Sequence, residues 1–133
     1  MRLHADDLER FAATPPSTAE CEACVALVRP GWEAFPTSVD EAVLEKLGAL
    51  WLPGDDEPTL AEHHPAGTRY WSAEAPIAPA FHPTNRCEVW SCRLCQRAFL
   101  RYTEYGGYYE ERRIRALDPA RLDFTGLPGH PPG

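Results

Sequence analysis

The sequence predicts an α+β fold: two or three N-terminal helices packed beside a small antiparallel sheet that ends in a C-terminal hairpin. Three observations predict it. Two S-x-x-E boxes, Ser17-Thr-Ala-Glu20 and Ser38-Val-Asp-Glu41, each precede apolar residues at helical spacing. Two strand-like runs, 99–105 and 108–114, flank Gly106-Gly107. Two C-x2-C pairs, Cys21/Cys24 and Cys92/Cys95, stand far apart in the chain. Fourteen prolines and nine glycines in 133 residues require many loops and few long elements. The expected layout is one small domain over 1–125, with a helical part at 3–52, a loop-rich part at 53–85 and a cysteine knuckle with its hairpin at 86–117. A disordered Pro/Gly tail is expected over 126–133.

In chain order, residues 3–13 read as a short helix, because Leu8, Phe11 and Ala12 share a face and Thr14-Pro15-Pro16 stops it. Asp6, Asp7 and Glu9 suit the positive end of its dipole. A second helix is expected from the Ser17 box to about Val28, before Pro30-Gly31, with Cys21, Cys24, Val25 and Val28 in one stripe. A third is expected from the Ser38 box to Pro53-Gly54, with Val43, Leu47, Leu50 and Trp51 on its core side. Thr68 to Ser72 reads as a short strand, and Ala75 to Pro83 as extended chain pinned by Tyr70, Trp71, Ile77 and Phe81. In the hairpin, a two-residue turn at Gly106-Gly107 sets Phe99 opposite Ile114, Tyr102 opposite Glu111 and Arg101 opposite Arg112. That last pair is costly unless a carboxylate or an anion lies between the two guanidiniums. Asp118-Pro-Ala-Arg-Leu fits a single helical turn.

Charge is unevenly divided. The net charge is −7, with five basic and fourteen acidic side chains in residues 1–85, a balance of −9, and eight basic and six acidic in residues 86–133, a balance of +2. The acidic half opposes general nucleic-acid binding, while the Arg-rich hairpin leaves a local contact open. The opening MRLHADDLERF lacks the apolar core of a secretory signal, and no run is long enough to span a membrane. A cytoplasmic, reducing compartment is therefore expected, where paired cysteines favour metal over disulfides.

Two residues between cysteines let both sulfurs turn inward around one bend, supplying half of a tetrahedral shell. Cys92-Arg-Leu-Cys95 followed by a hairpin resembles a zinc knuckle of the zinc-ribbon class, and Cys21-Glu-Ala-Cys24 matches it in spacing. The resemblance implies Zn²⁺ held by Cys21, Cys24, Cys92 and Cys95, a metal site of structural use. The rival reading makes Cys21 and Cys24 buried thiols on a core-facing helix. The alternative shell is His82, Cys87, Cys92 and Cys95; otherwise Cys87 is the spare thiol. His63 and His64 are adjacent, and adjacent side chains point apart in extended chain, so a shared ion is not expected there. Arg86, Arg93 and Arg97 stand near enough in sequence to offset the negative charge of four thiolates.

A four-thiolate shell leaves no open position for substrate, and no phosphate loop, dinucleotide fingerprint or H-E-x-x-H occurs. The chain is therefore read as no enzyme but as a zinc-stabilised module that docks another protein. The first alternative is contact with single-stranded nucleic acid through Tyr102, Tyr105, Tyr108 and Tyr109 with Arg101, Arg112, Arg113 and Arg115. The second is a thiol redox protein cycling Cys92 and Cys95.

Overall fold

The structure, a computed structural model, describes residues 1–13, 21–105 and 108–128. The Ser17 box, the Gly106-Gly107 turn and residues 129–133 of the expected tail lie outside the described residues. One antiparallel sheet dominates: β1 (Glu33–Ala34), β2 (Leu44–Ala49), β3 (Glu88–Cys92), β4 (Ala98–Tyr105) and β5 (Glu110–Ala116), in the order β1-β5-β4-β3-β2. Among the described residues there is one α-helix, α1 (Ala5–Ala13). The molecule is thus mostly β, which corrects the expectation of two or three helices beside a small sheet. No helix among the described residues is long and apolar enough to cross a membrane.

Each missing helix has a local reason. The Ser38 box does start a turn: Asp40 accepts from the Ala42 amide at 2.9 Å and opens a 3₁₀ turn at Glu41–Val43. The chain then extends into β2. A bulge between Lys46 and Gly48 adds one residue to β2, so the apolar positions Val43, Leu47, Leu50 and Trp51 fall at helical spacing without a helix. Gly48 is the tell. A Cβ there would lie 2.7 Å from the Met1 carbonyl oxygen, on the segment whose Leu3 amide bonds the Ala49 carbonyl at 2.8 Å. A glycine inside a helical pattern marked that close backbone approach. Of the second predicted helix, the described part from Cys21 on holds a 3₁₀ turn, Val25–Leu27; Cys21, Cys24 and Leu27 are buried while Val25 and Val28 are exposed.

Both sheet faces are covered over Ala98–Tyr102, which is why β4 is buried there instead of alternating. One face carries Val89, Ala98, Leu100 and Tyr102 against α1, Trp32 and Ile77. The opposite face carries Phe99 and Ile114 against Leu27, Leu44 and four cysteines. The loop-rich region has no strand at 68–72, where the Arg69 amide instead closes a turn on Ser72 Oγ at 2.9 Å. Ile77 is fully buried and bridges Leu122 in parallel, so the long loop is pinned by packing as its apolar content indicated. Asp118 caps the 3₁₀ turn Pro119–Arg121 through the Ala120 amide at 2.9 Å.

Both hairpin strands form, the second two residues later than expected at Glu110–Ala116, and the register differs accordingly. Phe99 faces Ala116, Arg101 faces Ile114, Tyr102 faces Arg113 and Tyr105 faces Glu110. The connection therefore takes the four residues 106–109 instead of two. Because the shift is by two residues, every side chain keeps its predicted face.

Candidate metal centre

The two C-x2-C pairs meet. Cys92 ends β3, and the turn through Cys95 joins β3 to β4, closed by the Gln96 amide on the Cys92 carbonyl at 2.8 Å and the Cys92 amide on the Arg97 carbonyl at 2.9 Å. Cys21 starts a second tight turn, its carbonyl accepting from the amides of Cys24 at 3.1 Å and Val25 at 2.8 Å. The sulfurs of Cys21 and Cys92 lie 3.7 Å apart, and those of Cys24 and Cys95 3.6 Å apart. All four lie within 4.8 Å of one another and all four residues are buried. Each facing pair is 71 residues apart in the chain. A group of four buried thiols converging on one point is able to hold a metal ion.

Burial and backbone amides act in opposite directions on these thiols. Burial pushes the Cys24 and Cys95 thiols up, and the neighbouring sulfurs hold Cys24 further up. At Cys21 burial opposes ionisation too, but the amides of Ala23 and Cys24, with the sulfurs of Cys92 and Cys95, donate to its sulfur and bring it to about 7. The Arg97 amide works in the same direction at Cys95, where burial still prevails. Negative charge here is met by backbone N–H groups, as metal-bound thiolates require. Two of the three arginines expected to help are engaged elsewhere. Arg86 donates to the Pro58 and Thr59 carbonyls, and Arg93 to the Ala42 carbonyl and Glu45. Arg97 Nε is buried with no hydrogen-bond partner among the described residues.

Gln96 follows the second knuckle with φ of +66°. A residue with a Cβ in this left-handed region carries about 1–2 kcal/mol of strain, and glycine is free of it. Gln96→Gly is expected to raise stability by about 0.5–1 kcal/mol once glycine's own chain entropy is counted. Urea unfolding would show this as a higher midpoint.

The alternative shell is not assembled. Cys87 is fully buried in the other core, its S–H donating to the Pro83 carbonyl at 3.2 Å, and burial pushes its thiol well up. His82 lies beside Tyr70 and Tyr102, with Nδ1 buried and without a partner among the described residues. His63 bonds Asp123 at 2.9 Å, and His64 bonds Thr68 and Glu62, both at 2.7 Å. Among the described residues, the four-cysteine group is the one cluster of such side chains placed to hold a metal.

The hairpin residues singled out as a binding surface divide between the faces. Arg101 and Arg112 reach the same carboxylate, that of Glu41. The two arginines are not opposed as expected, since Arg112 faces Thr103, yet they converge on this one acid; Arg101, ahead of Arg112, holds that carboxyl below the usual range against the opposing effect of burial. Arg101 is also stacked between Phe35 and Trp90. Arg113 turns to the other face, onto Tyr70, Trp71 and the Tyr102 hydroxyl. Arg115 is 1 % exposed. Of the tyrosines, Tyr102 is buried while Tyr105, Tyr108 and Tyr109 are exposed. The row of four arginines imagined for phosphates is therefore split, with Arg112 its exposed member. Glu41 and Trp90, the other half of this arrangement, are not among the binding residues the sequence pointed to.

The chain matches no protein family, no curated protein and no solved structure.

Proposed function

We propose that the chain is a non-enzymatic zinc protein in which one Zn²⁺, held by Cys21, Cys24, Cys92 and Cys95, supports a protein-interaction module in a reducing, cytoplasmic setting. The spacing of the sulfurs carries this reading. An ion with tetrahedral Zn–S bonds of about 2.3 Å separates its ligands by about 3.8 Å. The facing sulfurs lie at 3.7 and 3.6 Å, close to that edge and far longer than a disulfide. The packing supports a structural role: the group is buried among Leu27, Leu44, Phe99 and Ile114, with no room for a substrate beside a completed shell. All five cysteines are free thiols, the state a reducing compartment maintains. The acidic, aromatic-rich chain suits contact with another protein more than with phosphate backbones.

Native mass spectrometry on protein made without added metal is expected to show one zinc per chain. Removing it with a strong chelator is expected to lower the melting temperature. A metal-free chain that melts cooperatively at the same temperature as the zinc-loaded one would rule the reading out, and iron at the site would replace its metal.

A further inference from the structure

The sheet face that carries the cysteines is only half covered. Beyond Phe99 and Ile114 it opens into a groove of about 870 Å³, floored by β2, β3, β4 and Arg112 of β5 and walled by Trp51 to Pro53 and by Pro58. Trp51, Trp90 and Tyr105 give it apolar surface, and Tyr105 is 72 % exposed. Across four strands the floor measures about 14 Å, the reach of about four extended residues.

Its charge is opposite to that of the chain. Lys46, Arg86, Arg101 and Arg112 line it against Glu41, Glu57 and Glu88, an excess of one positive charge on a chain of −7. Lys46 is paired with Glu88 at 2.9 Å, and Arg86 is spent on the Pro58 and Thr59 carbonyls. Arg101 and Arg112 share the single carboxylate of Glu41. Of these cations Arg112 is the most accessible, its side chain 59 % exposed beside the aromatic floor against 46 % for Lys46 and 8 % for Arg101. The Arg101/Arg112 pair already grips one carboxylate and has donors left for a second, since each guanidinium carries five N–H groups.

We propose that this groove docks an extended acidic peptide segment of a partner protein, with a carboxylate at Arg112 and an aromatic or aliphatic side chain on Trp51 and Trp90. The proposal rests on the interaction-module reading and names its site and the chemistry of its partner. Charge complementarity selects this occupant: one excess positive charge in a groove that also holds Glu57 and Glu88 suits an isolated carboxylate next to apolar groups. A nucleic-acid strand would bring several phosphates against those acids.

The four tryptophans provide the test, because Trp51 and Trp90 line the groove while Trp32 and Trp71 pack around Tyr70 on the other side of the sheet. Zinc-loaded, isotopically labelled full-length chain would be titrated with the blocked pentapeptide Glu-Phe-Glu-Leu-Glu, its counterpart with lysine for each glutamate, and a five-nucleotide oligothymidylate. The acidic peptide is expected to shift the indole N–H signals of Trp51 and Trp90 saturably, leaving those of Trp32 and Trp71 in place. The lysine peptide, and the Arg112→Glu variant with the acidic peptide, are expected to bind at least about tenfold more weakly. Absence of shifts, equal shifts with both peptides, or tighter binding of the oligothymidylate would overturn the proposal. Metal content measured on the same samples separates the two readings. One zinc per chain with unmoved groove signals ends the docking proposal alone; groove shifts in a chain that binds no zinc uphold docking and end the metal reading.

Discussion

Cys24→Ser is expected to cost at least about 3–5 kcal/mol and to abolish stoichiometric zinc binding, whereas Cys87→Ser is expected to cost about 1–2 kcal/mol and leave the metal in place. Both cysteines are completely buried, so burial alone would make the two substitutions alike. What separates them is their surroundings. Cys24 faces Cys95 at 3.6 Å inside the four-sulfur group, while Cys87 stands alone and donates one hydrogen bond to Pro83 that a serine hydroxyl can keep. The chain around Cys24 also lacks other support. From Cys21 to Leu27 its regular structure is one 3₁₀ turn, with no ladder to the sheet, and two of its three buried residues are the cysteines themselves. A structural zinc site contributes about 10–16 kcal/mol of binding free energy, comparable to the whole stability of a domain. Losing one ligand of four therefore releases the segment from β4 and β5. Thermal melts of the two variants beside their zinc stoichiometry check this. Equal destabilisation with unchanged metal content in both would mean that the cysteines are ordinary core residues.

The site was legible where the fold was not, and the reason is physical. C-x2-C is a local grammar: two sulfurs around one bend make half a shell whatever lies between the halves, so Cys21/Cys24 and Cys92/Cys95 could be paired across 71 residues. The β4–β5 hairpin was legible for a similar reason, since β-rich runs around two glycines need little else. Its register was not. Two glycines suggested a two-residue turn, and the chain uses four residues, which the strand pattern cannot detect because a shift of two preserves every face. β2 was misread because a 3₁₀ turn followed by a bulged strand places Val43, Leu47, Leu50 and Trp51 at helical intervals. Only Gly48, pressed against the N-terminal segment, argued otherwise. The groove needed three dimensions, because Glu41 lies 60 and 71 residues from the arginines it joins.

Arg115→Met is expected to cost about 3–5 kcal/mol while leaving zinc binding intact. Arg115 looked in the sequence like one more cation on the hairpin. In the fold it is 1 % exposed, on the face of β5 turned away from the cysteines. Its guanidinium donates to the carbonyls of Pro30 at 3.1 Å, Ala75 at 2.6 Å and Ala73 at 3.4 Å. Burial lowers its pKa to about 10, and it remains a cation at neutral pH. Those carbonyls belong to two loops without regular structure, so one fork of donors holds both on the sheet. Methionine fills a similar length of space and removes the cost of burying a charge, but it leaves the acceptors without their donor. Arg115→Lys tests the geometry separately: it keeps a cation and loses the planar fork, and is expected to fall between wild type and methionine. Hydrogen exchange should locate the damage around residues 30–32 and 73–77, with the segment around Cys24 unaffected. Cys24→Ser should give the converse, with its largest effect at 21–27, because Cys24 packs with Phe99 and Ile114 while Arg115 lies on the Leu100 face of the sheet.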